Sequence, residues 1–287
     1  MTSPQSIVDS PQQLREKLEH VRAILAECQR VVVAFSGGVD STVLAKLARD
    51  VLGKPNVLAV TADSPSLARR DLDDARALAA TLDVEHAVID TAEVADASYR
   101  ANSPGRCYVC KRTLFVELDM LAQQRWIPVI LYGALADDDA AERPGQRAAR
   151  ESHVRAPLQE AGLEKWEVRE LARRLGLPNW DKPQNACLSS RIPHGLVVTE
   201  EKLQRIEQAE DALLSLGFRQ VRVRHVGTHA RIEVGREEVS RFNDAALSQQ
   251  IGDRLRALGF ASVGVARAGY QPGGADATQG TERHLTA

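Results

Sequence analysis

Ser36-Gly37-Gly38-Val39-Asp40-Ser41 places two glycines, two hydroxyls and one carboxylate within six consecutive positions. The preceding run Arg30-Val31-Val32-Val33-Ala34-Phe35 is β-branched and apolar, which predicts a buried strand. The following Thr42-Val43-Leu44-Ala45-Lys46-Leu47-Ala48 has the apolar spacing of an amphipathic helix. A strand, a turn of small residues and a helix N-terminus together make an anion cradle. Glycines admit a phosphate close to the backbone, the first helical amides lack intrahelical partners, and the helix dipole adds positive potential. Ser36 and Ser41 supply hydroxyl donors, and Asp40 is suited to hold Mg²⁺ against phosphate oxygens. A Gly-Gly turn alone occurs in many domains, but Ser-Gly-Gly-x-Asp-Ser at a strand–helix junction is far more specific. The loop lacks the Lys of a Walker A sequence, so transfer of a terminal phosphate is the less natural use of it.

The second set of reactive side chains is sulfur. Of four cysteines, Cys28 falls in the amphipathic stretch 12–28 and reads as a buried structural thiol. Cys107 and Cys110 stand two residues apart between Arg106 and Lys111-Arg112, after the turn-rich Asn102-Ser103-Pro104-Gly105. Cationic neighbours and a following helix N-terminus favour thiolate over the free thiol, whose pKa is about 8.5. Cys187 sits in Asn185-Ala186-Cys187-Leu188-Ser189-Ser190-Arg191, again beside small residues and an Arg. The two-residue gap suits a metal or an iron–sulfur cluster, and three thiolates leave one coordination position open. The alternatives are a Zn²⁺ clip completed by His153 or His194, and a thioredoxin-like pair, which the missing upstream strand disfavours.

These groups need a scaffold. Apolar, β-rich segments at 31–35, 57–61, 87–89 and 128–132 leave room for helices between them, and 66–82 and 111–124 carry helical periodicity. Strand–helix alternation predicts an α/β fold with a parallel sheet covered on both faces. Ligands on such sheets bind beyond the carboxyl ends of the strands. The nucleotide-site candidates are therefore Ala34, Ser36, Gly37, Gly38, Asp40 and Ser41 with the strand-end residues Thr61, Ala62 and Gly133. Asp137-Asp138-Asp139 beyond the fourth strand is either a solvated charge run or a Mg²⁺ or substrate contact. A helix at 165–175 closes a first domain, 1–180. The second, 181–268, is a smaller α+β domain. It opens with a helix capped by Thr199, continues with a hairpin of 220–226 and 230–234, and ends with a helix at 247–258 and a strand at 262–265. Arg222 and Arg224 alternate with Val221 and Val223, which sets both guanidiniums on one strand face. The tail 269–287 has the composition of a disordered segment.

The 287 residues are 44% hydrophobic and 26% charged, a balance that gives an ordinary globular core. A net charge of −2 supplies no global attraction to nucleic acid. No apolar run approaches the length that crosses a bilayer, and the start lacks a basic segment followed by an apolar one, so a cytoplasmic location is expected.

The loop at 36–41 resembles the pyrophosphate (PP) loop of the N-type ATP pyrophosphatases, whose fold is adenine nucleotide alpha hydrolase-like. The chain as a whole resembles the LarE-type sulfur transferases that mature the nickel-pincer cofactor of lactate racemase. The resemblance runs through Thr61-Ala62-Asp63-Ser64-Pro65-Ser66, 106–111, Arg143-Pro144-Gly145, 154–158, Trp180-Asp181-Lys182-Pro183, 186–191, 207–210 and 222–233. It implies an enzyme that uses ATP and Mg²⁺ to adenylylate a carboxylate of a pyridinium dicarboxylate mononucleotide, releasing pyrophosphate, and then replaces AMP by sulfur. It further implies Cys187 at the reacting centre. The sulfur comes either from that residue, leaving dehydroalanine, or from a [4Fe-4S] cluster on Cys107, Cys110 and Cys187, the version favoured by three cysteines. In that reading Arg222 and Arg224 grip the substrate phosphate, while Glu210 and Glu233 bind a cation or assist proton removal. A homo-oligomer, with no nucleic-acid or membrane partner, is also implied. Where relatives often carry Gly-Thr-Asn, this chain has Gly133-Ala134-Leu135. The competing readings are a tRNA thiolase with the same loop, and a non-catalytic adenine-nucleotide sensor with a structural metal.

Overall fold

A computed structural model describes residues 11–138, 144–183, 186–271 and 281–285. In chain order these form α1 (Pro11–Ala26), β1 (Val31–Ala34), α2 (Val39–Leu52), β2 (Val57–Asp63), α3 (Arg69–Thr81) and β3 (Glu85–Asp90). Next come α4 (Ala97–Arg100), α5 (Arg106–Gln124), β4 (Val129–Leu131), α6 (Pro144–Glu151), α7 (Pro157–Glu160) and α8 (Lys165–Arg174). The remainder is α9 (Glu200–Ser215), β5 (Val221–Val226), β6 (His229–Val234), α10 (Ala245–Ala257), β7 (Ser262–Ala266) and β8 (Glu282–His284). Asp139, Arg143, Gln184 and Asn185 lie outside the described residues, as does most of the tail.

The chain divides into two compact units. The first comprises 1–63, 69–91 and 110–184; the second comprises 64–68, 92–109 and 185–287. The second thus takes in 64–68 and 92–109, which the sequence reading assigned to the first domain.

In the first unit the described strands form one parallel sheet of order β3-β2-β1-β4. Strand period two explains its two cores. Val31 and Val33 point to one face, where they pack with Val21 and Leu25 of α1, Val43, Leu44 and Leu47 of α2, and Leu171 of α8. Val32, with Leu58 and Val60 of β2, faces Phe115 and Leu118 of α5 on the other side. Helices on both faces explain why these strands read as continuous apolar runs. Cys28 belongs to the first of these cores, donating to the Ile24 carbonyl at 3.2 Å, and burial pushes its thiol pKa up.

In the second unit β5 and β6 form an antiparallel hairpin, β7 lies parallel to β6, and β8 is antiparallel to β7. Its core joins Leu213 of α9, Val221, Val223, Ile232, Val263 and Val265 of the strands, and Ile251 and Leu255 of α10. Thr199 caps α9 by accepting from the Lys202 amide, as its position predicted.

Two expectations are corrected. The tail is not structureless throughout: Glu282–His284 pairs with β7, and Leu285 beyond it is buried in the core. One short strand and one apolar anchor suffice to dock a segment whose composition otherwise suggests disorder. Helix α5 begins at Arg106 rather than near Lys111, so the paired cysteines lie within its first two turns instead of ahead of it. The Arg106 amide donates to the Ser103 carbonyl (2.9 Å), which starts the helical winding early. Among the described residues no helix is long and apolar enough to cross a membrane.

Candidate active site

The anion cradle forms where β1 ends. The Phe35 amide makes the last sheet bond, to the Val60 carbonyl (2.8 Å), and the chain then turns through Gly37 at φ +67°. A Cβ on Gly37 would sit 3.2 Å from both the Cα and Cβ of Ala75 on α3, so the left-handed backbone and the close approach both call for glycine. Gly38 stands at the N-cap of α2 with no side-chain cap, which leaves the helix N-terminus open to an anion. Ser41 Oγ donates to the Gly38 carbonyl (3.1 Å) and accepts from the Ser36 amide (3.2 Å), holding the loop in its turn. Gly133 follows β4 so closely that a Cβ there would lie 3.1 Å from the Ser41 amide nitrogen.

Two side chains that sequence reasoning missed complete this region. Asn179 is buried, and its Nδ2 donates to the Gly37 carbonyl (3.1 Å) and Thr42 Oγ1 (3.0 Å), bracing the loop from behind. Lys165, the first residue of α8, places Nζ 2.6 and 2.7 Å from the two carboxylate oxygens of Asp40. Burial pushes the Asp40 pKa up; the hydrogen bond and charge of Lys165 pull it back, and Asp138 pushes upward again. Asp137 accepts from the Lys165 amide (3.2 Å), and Asp138 from the Leu135 amide (3.1 Å), so both build the loop and the start of α8. A Mg²⁺ carried on phosphates, which takes one or two carboxylates from the protein, fits the chemistry of Asp40 beside the loop hydroxyls.

The strand-end residues divide. Thr61 Oγ1 donates to the Phe35 carbonyl (2.7 Å) and therefore accepts from His86 Nε2 (2.8 Å), so its hydroxyl is committed to holding two strand ends together. Burial, with the charge of Arg76 beside it, lowers the His86 pKa. Ala62 and Ala34 are half-buried small residues, and Asp63 binds Arg69 at 2.5 Å.

In the second unit, Cys187 caps a short 3₁₀ turn, Leu188–Arg191. The turn is pinned along its length. The Leu188 amide donates to the Ser66 carbonyl (2.8 Å), Ser189 Oγ bonds the buried Tyr99 hydroxyl (2.7 Å), and the Ser190 carbonyl accepts from Arg224 Nη1 (3.0 Å). Asn102, fully buried at φ 52°, reaches the carbonyls of Ile192, Pro193 and Leu196, and Arg106 donates to the Ser189 carbonyl (2.9 Å).

The expected arginines and glutamates converge here. Arg224 and Arg231 both bind Glu233, at 2.8 and 2.7 Å, and Arg191 binds Glu210 through two bonds of 2.8 and 3.0 Å. Glu210 also accepts from the Val223 amide (3.1 Å). Arg222 donates to the Val221 carbonyl (2.7 Å) and lies over the Tyr270 ring. Burial, aided by the charge of Arg191, pushes its pKa down to about 10. All six ionisable groups are at least nine-tenths buried. Among the described residues four guanidiniums gather about Glu210 and Glu233, with Glu282 3.8 Å from Arg231, a concentration of cations that suits an anionic ligand. Glu210 and Glu233 are both engaged by guanidiniums.

The three candidate cysteines differ in exposure. Cys107 is exposed, and Cys110 and Cys187 are half-buried. Among the described residues no three His, Cys, Asp or Glu side chains form a group able to hold a metal ion. Three thiols suit an iron–sulfur cluster as donors, and Cys107 and Cys110 stand three residues apart on one face of α5.

Comparisons with known proteins match this architecture. The NAD synthase family model matches residues 9–131. An uncharacterized protein of Synechocystis sp. is 44% identical over 91% of this chain and 97% of its own length. The pyridinium-3,5-bisthiocarboxylic acid mononucleotide synthase of Lactiplantibacillus plantarum is 37% identical over 88% of this chain and 90% of its own. A tRNA-specific 2-thiouridylase of Thermoanaerobacter sp. is 27% identical over 71% of this chain and 65% of its own. With the parallel sheet and phosphate loop in place, that identity and coverage mean that the chain belongs to the family of the pyridinium-3,5-bisthiocarboxylic acid mononucleotide synthase, among the ATP-dependent PP-loop enzymes.

Proposed function

We propose that this enzyme adenylylates a carboxylate of a pyridinium dicarboxylate mononucleotide and converts it, through Cys187, to a thiocarboxylate. The observation that carries the reading is the network joining Cys187 to a buried, cation-rich cluster. Arg191 bonds the Cys187 carbonyl (2.9 Å) and Glu210, and Arg224 bonds the neighbouring Ser190 carbonyl. A sulfur nucleophile and a cluster of guanidiniums therefore share one scaffold, which suits an electrophile carrying a phosphate.

The chemistry divides between the units. At the loop 36–41, the carboxylate oxygen of the substrate attacks the α-phosphorus of ATP and pyrophosphate leaves. The helix N-terminus offsets the charge of the leaving group, and Asp40 would hold a Mg²⁺ that would add to this. The resulting acyl-adenylate is open to attack by a soft thiolate, and AMP departs as the C–S bond forms. Breaking the Cβ–S bond of Cys187, with loss of its Cα proton, releases thiocarboxylate and leaves dehydroalanine. Arg222 and Arg224 are assigned to the substrate phosphate, and Glu210 and Glu233 to holding the guanidiniums.

Replacing Cys187 by serine should abolish thiocarboxylate formation while substrate-dependent pyrophosphate release persists. Intact mass spectrometry after one cycle should show the polypeptide lighter by one hydrogen sulfide. An unchanged mass with protein-bound iron and sulfide would instead assign the sulfur to a cluster, and sulfur transfer to tRNA would assign the chain to the thiouridylase reaction.

A further inference from the structure

We infer that Arg191 is the positioning residue for the reactive sulfur, fixing the backbone from which Cys187 presents its thiol. This rests on the proposed role of Cys187. Among the described residues Arg191 is the largest fully buried side chain, only 1% exposed, and its guanidinium faces two ways. Nε and Nη2 bind the two oxygens of Glu210, which is wholly buried and further held by the Val223 amide of β5. Nη1 donates to the carbonyls of Cys187 (2.9 Å) and Ala186, and to Ser190 Oγ (3.1 Å).

The supports around the turn act on different residues. Ser66, Tyr99, Arg106 and Arg224 hold Leu188, Ser189 and Ser190, downstream of the cysteine. The carbonyls of Ala186 and Cys187, at and before the cysteine, receive their donors from Arg191. The path is therefore short: strand β5, the Val223 amide, Glu210, Arg191, the Cys187 carbonyl. A planar fork of five donors spans a carboxylate and two carbonyls at once, whereas a lysine ammonium has neither the shape nor the reach. Sulfur transfer from an acyl-adenylate demands that the thiol meet its carbon in line, so an error of an ångström in this backbone is costly.

The test uses the full chain and three variants. Arg191→Met leaves Glu210 buried without its cation and risks misfolding, so Arg191→Met/Glu210→Gln, which keeps the acceptor for Val223, and Arg191→Lys accompany it. Thermal unfolding selects the folded variants. Two readouts follow: iodoacetamide alkylation of Cys187 without substrates, with Cys107 as internal reference, and the ratio of thiocarboxylate formed to pyrophosphate released. In the double variant the Cys187 alkylation rate should change at least about threefold with Cys107 unaffected. Thiocarboxylate kcat should fall roughly 10- to 100-fold, the thiocarboxylate formed per pyrophosphate released should fall with it, and Arg191→Lys should recover part of the loss. A folded double variant with wild-type alkylation and wild-type thiocarboxylate output would overturn the inference. Thiocarboxylate formation by Cys187→Ser would instead overturn the proposed function, whatever the alkylation shows.

Discussion

At the scale of single residues, the phosphate loop is governed by a contact between positions 125 apart. Lys165 covers both oxygens of Asp40, so the carboxylate expected to face Mg²⁺ starts out shared with an ammonium. The pair is only part-buried, so its net contribution to stability is small, at most about 1 kcal/mol. Its electrostatic consequence is larger. Burial already raises the Asp40 pKa, and Lys165 opposes that rise, so removing the lysine moves the pKa further up. Lys165→Met should therefore shift the acid limb of the pyrophosphate-release profile to higher pH, because Asp40 takes up its proton earlier as pH falls. Steady-state rates across the acidic range check this, and an unmoved limb would sever Asp40 from the nucleotide step. The residues of the loop itself were legible because their types are local: small, hydroxylic, anionic. Lys165, Asn179 and Arg191 were not, because each is an ordinary polar residue whose meaning comes from a partner that only folding supplies.

At the scale of elements, legibility followed hydrophobic period. The strands at 31–35 and 57–61 were visible because parallel strands buried on both faces become runs of valine, leucine and alanine. The hairpin was visible for the opposite reason, since Arg222 and Arg224 alternate with buried valines. The start of α5 was hidden because Cys, Tyr and Val are weak helix formers, and tertiary bonds to Asn102 and the Ser189 carbonyl outweigh that preference. Strand β8 was hidden by its Gly- and Thr-rich surroundings. Deleting 272–287 tests its contribution, since it strips Leu285 from the core and leaves β7 as an edge. The second unit should lose about 2–3 kcal/mol, read as a lower urea midpoint, together with a greater tendency to self-associate. An unchanged midpoint would show that β8 docks without stabilising.

At the scale of the whole molecule, acid sensitivity is set by a histidine outside the reaction. His225 follows Arg224 on β5, 2% exposed against the Phe260 ring, with no hydrogen-bond partner at Nε2 among the described residues. Burial first, then the charges of Arg205 and Lys202, push its pKa down to about 4. The folded state thus binds this proton less readily than the unfolded chain, whose histidine titrates near 6.5. Its favourable contribution is complete above about pH 6.5 and is lost as pH falls toward 4. Lowering pH from about 7 to 5 should cost on the order of 2 kcal/mol, and His225→Leu should flatten that slope in chemical denaturation. The sites thus differ in how they are built. The phosphate loop is nearly continuous in the chain, but the seat of Cys187 is gathered from three separated stretches, 64–68, 92–109 and 185–287. Excising 185–287 would carry away the thiol, the hairpin and the arginines, yet leave behind Ser66, Tyr99, Asn102 and Arg106. During synthesis those four emerge first and wait, so the cysteine receives its mounting only after nearly the whole polypeptide has left the ribosome. Shuffling this region into another scaffold as a contiguous cassette would transplant the sulfur without its socket.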